Sequence, residues 1–198
     1  MMSLLFIALL GLAGPTTGLT EAEVAAALAG EAPVRAESFV SASGKAAGRG
    51  IGAIVVERPL SEVWSALSRF DDKAEYVPRL NSSQVLEKSA TSVRVKMEVN
   101  ASVTTVHYTM RYTLDEAAGL VRWKLDDTAR DNGIADADGE YHMLSLSPTR
   151  TLVVYRTYVD SGRSVPGFVQ RFMVKRSLPE LLHAVKKRIE SGGKWKKN

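Results

Sequence analysis

The sequence predicts an α+β domain in which a curved antiparallel sheet is closed by one long C-terminal helix. Between residues 83 and 159, short runs alternate apolar and polar side chains with a period of two. Short turns separate these runs and no helical pattern intervenes, so they read as a meander and not as a parallel α/β sheet. From Pro166 to Ile189 the apolar residues return to helical spacing. A strongly bent sheet must cover its apolar face, and this last helix is the one element long enough to lie across it.

The chain has 198 residues, enough for one good-sized domain. Its 45% apolar, 24% charged and 7% aromatic content is that of an ordinary globular protein. A net charge of +4 is too small and too dispersed to indicate nucleic acid. The absence of cysteine removes disulfides, thiolate metal sites and cysteine nucleophiles together.

Taken in order, Leu4 to Ala13 (LLFIALLGLA) suits the apolar core of a signal peptide and is shorter than the roughly 20 residues of a spanning helix. Small residues follow at Gly11, Ala13, Gly14 and Gly18, although Met1 to Ser3 carries no Lys or Arg. Residues 1–18 are therefore expected to be a leader and the protein exported, periplasmic in a bacterium. The alternative is an uncleaved anchor or a buried apolar arm. Thr20 and Glu23 have the capping-box spacing ahead of an alanine-rich helix that Gly30 stops. Residues 31–49 read as a linker arm completing an N-terminal segment of 19–49, and a domain of 50–191 follows. Gly44, Gly48, Gly50 and Gly52 lack phosphate-cradle spacing and read as a flexible lead-in to the first strand.

Within the domain, Ile51 to Glu57 is a short β-rich run, and Pro59 and Ser61 start a helix whose Val63, Trp64, Leu67 and Phe70 share one face. Asp71 and Asp72 end it. Strands are expected over Ser83–Lys88, Ser92–Ala101, Val106–Leu114, Leu120–Leu125, Gly139–Leu146 and Thr151–Val159. In the last helix, Pro179 should produce a kink or open a new first turn, with Ser177 as its cap. Residues 192–198 form a basic tail.

The run IVVERPLSEVWSALSRFDDKAEYVPRL, with Pro59, Val63, Trp64 and Pro78, resembles the first strand and helix of the START-like, or SRPBCC, superfamily. Gly139-Glu140-Tyr141-His142-Met143 and Thr151-Leu152-Val153-Val154-Tyr155 resemble its paired late strands, with Tyr141 where Trp is usual. VPGFVQRFMVKRSLPELLHAVKKRIE resembles the closing helix of the polyketide cyclase/dehydrase and coenzyme Q-binding branch, which includes lipid transport. The likeness spans about residues 50–191. It implies a helix-grip fold and an interior that takes a lipid, sterol, quinone or polyketide-like molecule, while fold alone leaves the activity open.

Strand alternation turns Val95, Met97, Tyr108, Met110, Tyr112, Trp123, Tyr141, Met143 and Tyr155 to one side. With Phe168 and Phe172 of the last helix these are the expected lining of an apolar cavity. Several tyrosines on such a face suggest polar anchors within it, because a buried phenol needs a partner. Arg94, Arg111, Arg122 and Arg156 fall on the opposite face, as solvated groups or inter-strand pairs. His107, His142 and His183 form no metal pattern, and no catalytic residue or cofactor is expected. Asp126, Asp127, Asp131, Asp136 and Asp138 lack calcium-loop spacing and read as a solvated loop. Lys175, Arg176, Lys186, Lys187, Arg188, Lys194, Lys196 and Lys197, with Trp195, suit either a solvated surface or contact with anionic lipid. The expected function is non-catalytic binding or transport of an apolar small molecule. The alternatives are a cyclase/dehydratase-type enzyme, which needs an acid–base group inside the cavity, and a membrane- or protein-interaction module.

Overall fold

The computed structural model describes residues 12–14, 17–42, 44–101, 104–162 and 167–198, apart from the side chains of residues 167–176. The elements run α1 (Glu21–Leu28), β1 (Val34–Val40), β2 (Ala46–Val56), α2 (Leu60–Leu67), α3 (Lys73–Tyr76), β3 (Leu80–Lys88), β4 (Ser92–Asn100), β5 (Thr105–Asp115), β6 (Leu120–Leu125), β7 (Asp136–Ser147), β8 (Arg150–Asp160) and α4 (Gly167–Glu190). The strands form one sheet of order β1-β2-β8-β7-β6-β5-β4-β3. Every neighbouring pair is antiparallel. This is the expected α+β helix-grip arrangement.

The reading of residues 31–49 as a linker needs correction. Val34–Val40 pairs with Ala46–Gly52 as an edge hairpin, so these residues belong to the sheet. The strand signal was weak because the run AAGRGIG offers glycines where alternation would show. Three boundaries also move. Helix α2 ends at Leu67, where the Ser68 hydroxyl donates to the Trp64 carbonyl at 2.7 Å. Strand β7 begins at Asp136, three residues before the expected start at Gly139. Helix α4 continues through Pro179 without a new start.

The glycines of β2 have a packing role that the flexible lead-in reading did not supply. Helix α4 packs chiefly on β2 and β1. A Cβ at Gly50 would lie 2.5 Å from Leu178 Cδ1, and one at Gly52 would lie 2.8 Å from Leu182 Cδ1. Both contacts are closer than real side-chain carbons approach, so glycine at these positions sets how near the helix can come. The apolar residues that cover the sheet therefore do so through absence of side chains on β2 as much as through bulk on α4.

The sheet has two apolar faces. On the inner one, Ile54, Val56, Val95, Tyr112, Tyr141, Val153, Leu182 and Val185 share one buried cluster with Val63, Leu67 and Phe70. On the outer one, Leu19, Val24 and Ala27 cover Ala53, Val55, Leu152 and Val154. Helix α1 is started by a complete capping box between Thr20 and Glu23. Most of the expected leader lies outside the described residues. Within it, Leu12 and Ala13 pack on the outer cluster, and the Thr17 carbonyl accepts from Arg156 Nε at 3.1 Å. Among the described residues no helix is long and apolar enough to cross a membrane.

Candidate functional site

Cross-strand register sorts the inner face by side-chain size. One row runs Val93, Tyr112, Trp123, Gly139, Thr157, Gly50, Ala36 across β4, β5, β6, β7, β8, β2 and β1. The adjacent row runs Leu114, Val121, Tyr141, Tyr155, Gly52, Val34. Large rings therefore stand on the middle strands and small residues on β2, where α4 is seated. This taper places the helix to one side and leaves a wall of rings across the rest of the inner face.

The wall is continuous. Phe70 and Tyr112 have ring centroids 4.3 Å apart, Tyr112 and Trp123 5.9 Å, Trp123 and Tyr155 5.4 Å, and Tyr141 and Tyr155 5.0 Å. Tilted ring pairs at these distances are favourable beyond the area they bury. The Tyr112 hydroxyl lies 3.8 Å from Met97 Sδ. Burial holds the phenols of Tyr108, Tyr112 and Tyr141 above the usual tyrosine value, and neighbouring phenols add to the shift. Burial also raises Tyr155, against the opposing effect of its hydrogen bond with Thr157. All four stay neutral at physiological pH, so the wall presents hydroxyls without charge.

The structure brings together nine of the eleven expected lining residues. Val95, Met97, Met110, Tyr112, Trp123, Tyr141 and Met143 are buried in the inner cluster, and Tyr108 and Tyr155 pack against it partly buried. The side chains of Phe168 and Phe172 lie outside the described residues. Sequence reasoning missed Phe70 as a member of the wall, and it missed Lys73. Lys73 is 4% exposed. Its ammonium donates to the Leu67 carbonyl at 3.1 Å and stands 4.9 Å from the centre of the Phe70 ring and 5.7 Å from that of Tyr141. Burial lowers its pKa to about 8, with Asp72 acting in the opposite direction. The spacing of Phe70, Lys73 and Tyr76, three residues apart, was the available signal for a cation on an inward face.

The opposite face carries the arginines as expected, and carboxylates answer them. Glu140 takes Arg122 at 3.2 Å and Arg156 at 2.9 Å on its two oxygens. Asp126 takes Arg94, and Arg111 at 3.5 Å. An open groove of about 830 Å³ lies among these outer residues and includes Arg35, Arg49, Lys124 and Tyr158. Its lining also takes in Trp123, Gly139 and Thr157, which belong to the first of the two rows above. The solvated-loop reading of the acidic stretch is corrected at three positions. Asp126 is buried: burial raises its carboxyl, but hydrogen bonds from Thr128 and Arg94 outweigh this and bring it down to about 2. Asp136 and Asp138 belong to β7.

His107 sits 3.6 Å from Glu98 on the exposed face, and His183 Nδ1 lies 2.8 Å from the Pro179 carbonyl. His142 is buried on the outer side of β7. Among the described residues no group of three or more acidic or histidine side chains could hold a metal ion. The side chains of Lys175 and Arg176 lie outside the described residues, and most of the described C-terminal cations are engaged within the molecule. Arg188 pairs with Asp72 at 2.9 Å and Glu75 at 2.8 Å, Lys196 with Glu75 at 3.1 Å, and Lys197 donates to the Val77 carbonyl at 2.9 Å. The tail is thereby tied to α3.

The family profile described as polyketide cyclase / dehydrase and lipid transport matches residues 56–186, about two thirds of the chain. No curated protein matches. Among solved structures, the chain is similar to the Zhui aromatase/cyclase from Streptomyces sp. R1128, with 19% identity and a TM-score of 0.61 over 80% of this chain and 94% of that one. It is similar to the STAR-related lipid transfer protein from Xanthomonas axonopodis, with 16% identity and a TM-score of 0.65 over 79% and 93%. It is also similar to human StAR-related lipid transfer protein 5, with 13% identity and a TM-score of 0.59 over 80% and 83%. At these identities the structural likeness speaks to fold, and the profile speaks to family. The chain belongs to the polyketide cyclase/dehydrase and lipid transport family, on the START-like helix-grip fold.

Proposed function

We propose that the protein binds and carries an apolar small molecule between the ring wall and α4, without chemistry on it. The observation that carries this reading is the taper of the inner face. Rings from Phe70 to Tyr155 form an unbroken apolar wall, while glycines on β2 seat the helix to one side of it. Apolar walls with a few polar groups are the usual surroundings of small-molecule ligands. Family membership supports the reading, because the family includes lipid transport. The test is organic extraction of full-length protein purified from its native source, followed by mass spectrometry. A stoichiometric apolar compound is the expected result, and repeated extraction with nothing recovered would count against carriage.

A second reading is favoured by Lys73. Acid–base catalysis of the cyclase or dehydratase type needs a titratable group beside the substrate. A buried amine whose pKa is lowered to about 8 is such a group. On this reading Lys73→Met abolishes turnover while ligand affinity changes little.

A further inference from the structure

Two cations are buried at the α3 end of the inner cluster, and they are treated differently. Arg188 meets two carboxylates, Asp72 and Glu75. Lys73 meets one neutral carbonyl, that of Leu67, and two ring faces. Its sequence neighbour Asp72 directs Oδ2 to Arg188 at 2.9 Å and to Arg69 at 3.4 Å. An ammonium has three donors. Ring faces attract a cation but do not replace a hydrogen-bond acceptor. A buried charge with so few partners is costly to the free protein unless something else completes its shell.

We propose that Lys73 is the head-group site of the interior: the ligand is an amphiphile whose apolar body lies on the ring wall and whose carboxylate is held by the Lys73 ammonium. The inference rests on the carrier reading above and narrows its ligand class. A carboxylate supplies one negative charge for one positive charge, and its hydrogen bonds with an ammonium are charge-assisted. The neutral phenols of Tyr141 and Tyr112 add no repulsion to that charge.

The test compares cis-parinaric acid with its methyl ester, by fluorescence titration at pH 7, on the full-length chain and on Lys73→Met. The two probes share one apolar body and differ in the charge of the head. The wild-type chain is expected to bind the acid at least about tenfold more tightly than the ester, the worth of a hydrogen bond to a charged group. In Lys73→Met the preference should fall to within about twofold while ester affinity is kept, because only the charged bond has been removed. Equal binding of acid and ester by the wild type overturns the head-group assignment and leaves the carrier reading standing. So does a preference for the acid that survives in Lys73→Met. Binding of neither probe by the wild type overturns the carrier reading and the assignment together. Should Lys73→Met not fold, nitrogen-detected NMR of the wild-type lysine ammonium groups decides the matter. A Lys73 signal that moves with the acid and not with the ester supports the assignment, and a signal indifferent to both overturns it.

Discussion

The indole of Trp123 fills the space that a side chain at Gly139 would occupy. The two residues are cross-strand partners on β6 and β7, and a Cβ at position 139 would collide with the indole and with the Arg156 carbonyl. The ring wall is continuous at this point because β7 supplies no side chain there. Gly139→Ala is therefore expected to destabilise the protein by about 2 kcal/mol through overpacking. Urea unfolding should show a lower midpoint with an unchanged slope. A midpoint equal to that of the wild type would contradict the packing described here.

The seating of α4 on β2 gives a sharper test, because the neighbouring atoms at Gly50 all belong to Leu178. Gly50→Ala should cost about 1–3 kcal/mol in the wild-type background. In a Leu178→Ala background the same change should cost much less, giving a coupling energy of about 1 kcal/mol or more. Additive effects would show that the helix does not press on Gly50.

Lys73 should impose a pH signature on stability. Its folded pKa of about 8 lies below the ordinary lysine value of 10.5. Between these values the unfolded chain holds more protons than the folded one, so this group's contribution to stability rises with pH. Its penalty is fully present below about pH 8 and relieved by about pH 10.5, a span worth about 3 kcal/mol. Lys73→Met removes the penalty at all pH values, so it should be more stable than the wild type at pH 7 and the advantage should vanish towards pH 10.5. Chemical denaturation of both proteins across that range measures the difference directly, and tyrosines that titrate in both cancel in it. A pH-independent difference would contradict the burial of a charged amine.

Asp126 acts at the other end of the scale. Its folded pKa of about 2 lies below 3.8, so its contribution is present above about pH 4 and is lost as the pH falls through about 2. Asp126→Asn removes the charge that Arg94 and Arg111 share. It should cost about 2 kcal/mol at neutral pH, the worth of hydrogen bonds to a charged group. The same variant should show a flatter loss of stability between pH 4 and pH 2, followed by thermal melting.

The parts of this architecture that were legible in the sequence are those where chemistry alternates. Val95, Met97, Tyr108, Met110 and Tyr112 face inward because a strand has a period of two, and the arginines between them face outward for the same reason. Strand β1 and the start of β2 were not legible, since their glycines, alanines and charged residues give no apolar alternation. Glycine at positions 50, 52 and 139 acts by leaving room for Leu178, Leu182 and Trp123, and those partners are distant in sequence. Lys73 was missed for a related reason. A lysine on a four-residue helix reads as a solvated charge until the folding of Phe70 and Tyr141 around it is known.

The central claim is that an apolar ligand lies against the ring wall, and Trp123 is its natural reporter. The chain has three tryptophans, so Trp64→Phe with Trp195→Phe leaves Trp123 as the sole indole. Titration of that full-length variant with the methyl ester of cis-parinaric acid, exciting the indole, measures energy transfer from Trp123 to the bound chain. Saturable one-to-one transfer is the predicted result. Unchanged Trp123 emission, with no saturable transfer up to the solubility limit of the probe, would contradict the account.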